Sequence, residues 1–287
     1  MMKLLPPAKV NLFLRVIGKR DDGYHGILSL IQPISLYDEI SLEVRDGDGI
    51  TVRAKGAGVP PRFPVDERNL AYRAGELFLK EAGVKKEVII DMDKKIPVGA
   101  GLGGGSSDAA SVIMGLNEML NAGFNEKKLM DIALSIGSDA PFFILKGPAV
   151  ARGRGEILER VALEPLNYVL INPGFSVSTA WVYGNLDLTK KDEGNILIDL
   201  KEPGPETIVK YLANDLEDVT LRKYPALREL KGILMESGAM GAMMSGSGPT
   251  VFGVFRDEAK AVTARADIEA RLGPPYRVFF ARGLQAD

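Results

Sequence analysis

Five glycines fall within seven residues in the stretch Pro97-Val98-Gly99-Ala100-Gly101-Leu102-Gly103-Gly104-Gly105-Ser106-Ser107. Glycine has no Cβ, so the backbone can turn to positive φ and approach a ligand closely. A helical pattern begins directly after the last glycine, and its free N–H groups and positive dipole end would point back at the loop. Such a loop is a ready-made seat for phosphate, to which Ser106 or Ser107 could add a hydroxyl. Asp139 lies in Ser138-Asp139-Ala140-Pro141. A carboxylate there could take a proton from an acceptor hydroxyl, or could cap the next helical turn. Lys9 sits at a strand start, where a lysine is by default solvated, with Asn11 on the same strand face. Tyr24 and His25 offer a ring face and ring nitrogens, or fill the turn after Asp21-Asp22-Gly23. Ser245-Gly246-Ser247-Gly248-Pro249 is either a second phosphate contact or a plain hairpin turn.

The elements that must position these groups follow from periodicity. Residues 8–17 alternate as a strand with Val10, Leu12, Leu14 and Val16 on one face and Lys9 and Asn11 on the other. Strands are expected at 27–36, 39–45, 50–52 and 87–92. A helix is expected over 70–82, with Asn69 as its cap and Gly83 as its stop. After the glycine loop, Ala109, Ile113, Leu116 and Leu120 mark one helical stripe. A further helix has Leu129, Ile132, Ala133 and Ile136 in phase between Asn125 and Gly137. The region 147–155 reads as a hairpin, with strands at 161–163 and 168–171. Helices are expected at 178–184, 205–213 and 225–236. Strands at 239–244 and 250–255, a helix through Ala261 to Leu272 and a strand at 276–281 close the chain. Strands and helices mix without a regular βαβ rhythm, which gives an α+β class. The boundary is placed near residue 155, giving domains 1–155 and 156–287.

Composition narrows the partners. The chain has 287 residues, 26% charged and 46% hydrophobic, with a net charge of −2. That balance recommends neither nucleic acid nor membrane as a partner. There is no cysteine, which removes disulfides and thiolate chemistry and suits a reducing cytoplasm. The N-terminus lacks the apolar core of a signal peptide, and no apolar run approaches a membrane span. A single histidine excludes a histidine-rich metal centre.

Three familiar glycine loops fail here. Walker A needs a lysine after the glycines, and Ser106 stands there. A dinucleotide fingerprint needs an acidic strand end about 20 residues on, where Glu126 instead opens a helix. The protein-kinase loop sits in a hairpin, whereas this one precedes a helix. The loop resembles the P-x-x-x-G-L-G-S-S-type motif of the galactokinase–homoserine kinase–mevalonate kinase–phosphomevalonate kinase (GHMP) superfamily. Pro7-Ala8-Lys9-Val10-Asn11-Leu12 resembles that superfamily's N-terminal motif, and Met244 to Thr250 resembles its C-terminal glycine motif. Arg20 to His25 and Gly137 to Phe142 are similar to one branch of it, whose members phosphorylate the 2-hydroxyl of 4-diphosphocytidyl-2-C-methyl-D-erythritol in the non-mevalonate route to isoprenoid precursors.

The resemblance implies an N-terminal nucleotide-binding domain like ribosomal protein S5 domain 2 and a C-terminal ferredoxin-like domain. It implies ATP, brought as its magnesium complex, over Pro97 to Ser107, with no protein ligand for the metal identified. It makes Asp139 the catalytic base and Lys9 its partner. It assigns Asn11, Tyr24 and His25 to a substrate carrying a cytidine diphosphate group, with Tyr183 as a second stacking ring and Trp181 as its rival. Both aromatics could instead be core of the 178–184 helix. It sets Gly246, Ser247 and Gly248 against the diphosphate. The expected protein is a cytoplasmic monomer or weak homodimer. A mevalonate or homoserine kinase would not need Tyr24-His25. A non-catalytic nucleotide sensor would not need both Lys9 and Asp139. An RNA-binding module would need a dense basic stretch that is absent.

Overall fold

A computed structural model describes residues 1–187 and 204–286. In chain order the elements are β1 (Met2–Leu4), β2 (Pro7–Lys19), β3 (His25–Tyr37), β4 (Glu39–Arg45), β5 (Gly49–Lys55), α1 (Leu70–Ala82), β6 (Glu87–Asp93), α2 (Gly104–Met119), α3 (Glu126–Leu134) and α4 (Ala140–Leu145). Then come β7 (Ala149–Arg152), β8 (Ile157–Arg160), β9 (Asn167–Asn172), α5 (Thr179–Gly184), α6 (Pro205–Tyr211), β10 (Ala213–Asn214), α7 (Glu217–Lys223), α8 (Ala226–Glu236), β11 (Gly241–Met244), β12 (Val251–Phe255), α9 (Glu258–Leu272) and β13 (Arg277–Arg282). Among the described residues no helix is long and apolar enough to cross a membrane.

Two compact units interleave along the chain. The first takes residues 1–8, 36–98 and 103–146; the second takes 9–35, 99–102 and 147 onward. A single cut at residue 155 does not reproduce them. The reason is sheet pairing: β2 and β3 join β7 and β8 in one sheet of order β10-β2-β3-β7-β8.

In the first unit a sheet of order β1-β4-β6-β5 carries the helices. Its β4–β6 pair is antiparallel and its β5–β6 pair parallel. Helix α1 starts where expected, because the Asn69 side chain accepts a hydrogen bond from the Ala71 N–H at 2.8 Å. It ends at Gly83, whose φ of 66° lets the chain leave the helix without strain. Helix α2 is buried well beyond the expected stripe. Ser107, Asp108, Ala110, Ser111 and Val112 are buried along with Ala109, Ile113 and Leu116, while Leu120 lies past its end as the C-cap. Small side chains let its neighbours close in: a Cβ at Gly115 would lie 2.9 Å from Leu42 and 3.0 Å from Leu4.

In the second unit β9, β11, β12 and β13 form an antiparallel sheet of order β11-β12-β9-β13. With α8 before β11 and α9 before β13, this is the βαββαβ path of a ferredoxin-like domain. Ile171, Leu230, Leu234, Val251, Ala261 and Ile268 share its core. Each fully buried aliphatic side chain contributes roughly 1.5–3 kcal/mol.

Three local expectations change. The strand expected at 161–163 lies instead at Ile157–Arg160. Gly153 and Gly155 turn the chain at positive φ, so β8 pairs back on β7 in a register that ends at Ala149↔Arg160. The helix expected over 205–213 stops at Tyr211, because Ala213 and Asn214 pair in parallel with Phe13 and Leu14. Lys9 and Asn11 are buried, not on a solvated face. Residues Ala8 to Leu14 of β2 are all buried, so both faces of the strand are covered, and the turn at Ser245 and Gly246 lies over Lys9 and Asn11.

Candidate active site

In the second unit, β2 meets the C-terminal glycine motif. The Lys9 main chain donates to the Leu102 carbonyl at 2.9 Å, which ties the strand start to the glycine loop. The Lys9 ammonium donates to the Asn11 side-chain oxygen at 2.5 Å. The Asn11 amide in turn donates to Ser29 Oγ at 2.9 Å, and Ser29 donates to the Phe13 carbonyl at 2.6 Å. This chain fixes Asn11 with its oxygen toward the lysine, so that a positive charge is held at a set point inside the fold.

The turn at 245–248 closes over the same point. A Cβ at Gly246 would lie 3.3 Å from the Lys9 ammonium and 3.2 Å from Asn11 Oδ1. Asn214 Nδ2 donates to the carbonyls of Met244 and Gly246, both at 2.8 Å. Thr220 donates to the Ser247 carbonyl at 3.2 Å, and the Ser247 and Thr179 hydroxyls are 2.9 Å apart. Ser245 Oγ donates to the Gly101 carbonyl at 2.9 Å. Residues 245–248 form the turn between β11 and β12, tied by Ser245 to Asn11 and Gly101, with Gly246 beside Lys9.

The glycine loop has φ values of 64°, 77° and 70° at Gly99, Gly101 and Gly103. Gly101 shows why no other residue serves: a Cβ there would lie 2.0 Å from the Ser245 carbonyl oxygen. Gly103 is the N-cap of α2 and has no side chain to satisfy the first-turn N–H groups, which stay available to an anion. Ser107 Oγ is buried without a hydrogen-bond partner. A buried hydroxyl left unsatisfied costs stability.

Asp139 occupies the N-cap position of α4, yet its side chain makes no capping hydrogen bond. Every residue of α4 is buried, with Phe142 and Phe143 packed edge to face at 5.1 Å. An exposed carboxylate thus stands on a rigid apolar mount.

The aromatic cluster lies in the second unit. The His25 and Tyr183 rings stack with centroids 5.1 Å apart and planes at 26°. Burial, with the Lys19 charge second, lowers the His25 pKa and favours the neutral imidazole. Tyr24 is 51% exposed, and the Arg154 guanidinium lies 4.9 Å from its ring centre. Trp181 faces the Lys223 ammonium at 3.8 Å instead. The core position of α5 belongs to Val182, fully buried between these two partly buried rings.

Sequence reasoning missed one group of charges. Lys94, Asp38 and Asp108 are almost wholly buried, and Lys94 pairs with both carboxylates. The available signal was positional: a lysine just before the glycine loop and an aspartate just after it. Among the described residues no group of three histidine, cysteine, aspartate or glutamate side chains is placed to hold a metal ion.

The description "GHMP kinases N terminal domain" matches residues 69–147, and "GHMP kinases C terminal" matches residues 196–273. The architecture is the two-domain α+β GHMP kinase fold. At the level of the fold alone it is similar to homoserine kinase from Cytophaga hutchinsonii, with a TM-score of 0.79 and 19% identity over 99% of this chain and 95% of that one. The chain is 46% identical to the 4-diphosphocytidyl-2-C-methyl-D-erythritol kinase of Syntrophotalea carbinolica over 280 residues, 97% of this chain and 98% of the relative. It is 44% identical to the kinase of the same name from Syntrophus aciditrophicus, over 99% of this chain and 100% of the relative. A crystal structure of 4-(cytidine 5'-diphospho)-2C-methyl-D-erythritol kinase superimposes with a TM-score of 0.80 at 35% identity, over 99% of this chain and 100% of that one. The chain belongs to the 4-diphosphocytidyl-2-C-methyl-D-erythritol kinase family.

Proposed function

We propose that this chain transfers the γ-phosphoryl group of ATP to the 2-hydroxyl of 4-diphosphocytidyl-2-C-methyl-D-erythritol, a step in the non-mevalonate supply of isoprenoid precursors. Family membership over nearly the whole chain is the observation that carries this reading. The site residues are assigned on geometry and family resemblance.

Phosphoryl transfer asks little covalent chemistry of a protein; it asks for an aligned acceptor and positive groups around the moving charge. The glycine loop from Pro97 to Ser107 supplies main-chain N–H groups to the ATP phosphates, to which Ser106 or Ser107 adds a hydroxyl. Magnesium would be brought on the nucleotide as part of the substrate and would supply charge screening for its phosphates. It normally keeps several waters and needs no dedicated cage of protein ligands. Asp139 takes the proton of the acceptor hydroxyl as the new bond to phosphorus forms. Lys9, held by Asn11, supplies positive charge to the leaving phosphates. Gly246 to Gly248 offer main chain to the substrate diphosphate. His25 reads the cytosine edge with its ring nitrogens, while Tyr24 and Tyr183 give stacking faces. A cytoplasmic setting belongs to this reading.

The test is ATP turnover by the purified protein on three acceptors in parallel. Phosphorylation of the cytidine substrate is expected; phosphorylation of mevalonate or homoserine alone would refute the assignment.

A further inference from the structure

The buried charges around Lys94 have no part in the chemistry above. Lys94 follows β6, and its ammonium donates to carboxylate oxygens of both Asp38 and Asp108. The three side chains are 1%, 0% and 2% exposed. The second oxygen of Asp38 accepts main-chain hydrogen bonds from Lys95 at 2.6 Å and Ile96 at 2.9 Å. Asp108 stands on α2, directly after the glycine loop. The carboxylate–ammonium–carboxylate bridge therefore joins the residues that lead into the loop to the residue that leads out of it.

The main chain under Lys94 is clamped as well. Lys94 N–H donates to the Lys55 carbonyl at 2.8 Å, and Gly58 N–H donates to the Lys94 carbonyl at 2.7 Å. A Cβ at Gly56 or Gly58 would come within 2.6 Å or 2.8 Å of that carbonyl, so the turn closes tightly on it. Across the loop mouth, a Cβ on Gly104 would lie 2.8 Å from Ile96 and 3.5 Å from Asp38. The mouth of the loop is thus drawn shut by contacts that only small residues and a charged bridge allow.

We propose that Lys94, Asp38 and Asp108 act together as positioning residues that hold the two ends of the glycine loop in register, so that its N–H groups converge on the ATP phosphates. Lys94 is not itself a phosphate ligand, since its charge is spent on two carboxylates inside the fold. A buried ion pair is seldom more stabilising than apolar residues of the same volume. What it supplies here is directional geometry at both ends of one loop. Burial raises the Asp108 pKa, Lys94 opposes the rise and Asp38 adds to it, as two carboxylates around one ammonium should behave. This inference rests on the reading of the loop as the ATP seat.

The test is calorimetric binding of a non-hydrolysable ATP analogue, and separately of the cytidine substrate, to the full chain and to Asp108→Asn. If the unaltered chain fails to bind the analogue, the reading of the loop falls before any variant is made. Otherwise the near-isosteric Asp108→Asn is expected to bind the analogue at least about fivefold more weakly while its affinity for the cytidine substrate stays within about twofold. Unchanged analogue affinity would overturn the proposal, and so would equal loss for both ligands. Lys94→Arg is the second variant, should Asp108→Asn not fold. It keeps the charge but changes the fork geometry, and the same split between the two ligands is expected; affinity equal to that of the unaltered chain would overturn the proposal.

Discussion

Lys9 and Asn11 share one buried face of β2, and the lysine ammonium donates to the asparagine side-chain oxygen at 2.5 Å. The asparagine is itself held by Ser29, so the charge has little freedom to wander. A buried ammonium must be paired or hydrogen-bonded, and the main chain of Gly246 passes beside it. Lys9→Met should therefore lower kcat by about 10²–10⁴-fold, with analogue binding retained at the glycine loop. Asp139→Ala should give a loss of the same order. Steady-state kinetics beside calorimetry checks both; near-normal kcat in Asp139→Ala would remove Asp139 as the base.

The stacking of His25 on Tyr183 separates two aromatic candidates. Tyr183→Ala should raise KM for the cytidine substrate roughly 5–150-fold, the range that base–aromatic stacking of about 1–3 kcal/mol gives. KM for ATP should not move. Trp181→Ala, whose ring faces Lys223, should leave both KM values within about twofold. A reversed pattern would exchange the two assignments.

Gly101 and Gly105 offer a matched contrast within one loop. Gly101 has a φ of 77°, and a Cβ there meets a backbone oxygen at 2.0 Å. At Gly105 a Cβ would lie 3.5 Å from Leu70, an ordinary contact. Gly101→Ala should lose at least about 1–3 kcal/mol of stability, whereas Gly105→Ala should stay within about 0.5 kcal/mol or gain slightly. Denaturant midpoints compare the two directly.

The buried aspartate predicts a dependence of stability on pH. Burial raises Asp108 to about 7, with Lys94 opposing and Asp38 adding to the shift. Its folded pKa then lies above its unfolded one, so between the two the native state binds more protons. The stabilisation from this group is complete below about pH 4 and is lost as pH rises through about 7. The unaltered chain should lose more stability than Asp108→Asn between about pH 5 and about pH 8. Parallel curves would contradict the assignment.

Much of this was legible in the sequence. Helix α1 shows in its cap, its stop and its apolar spacing, all local signals. The tight loop showed in its glycines, of which Gly99, Gly101 and Gly103 take positive φ, while Gly104 and Gly105 already belong to α2. The burial of Lys9 and Asn11 was not legible, because the turn that lies over them comes from Ser245 and Gly246, the first of them 234 residues along the chain from Asn11. The Lys94 bridge was hidden for a similar reason. Asp38 is 56 residues from Lys94, and only the folded sheet brings them together.

The most direct test is where the phosphate goes. The purified protein, given ATP, magnesium and 4-diphosphocytidyl-2-C-methyl-D-erythritol, is followed by phosphorus NMR of the product. The account predicts one new monophosphate resonance, coupled to the methylerythritol carbon that bears the 2-hydroxyl, with the diphosphate bridge intact. No transfer to this substrate, or transfer to another hydroxyl of it, would contradict the account.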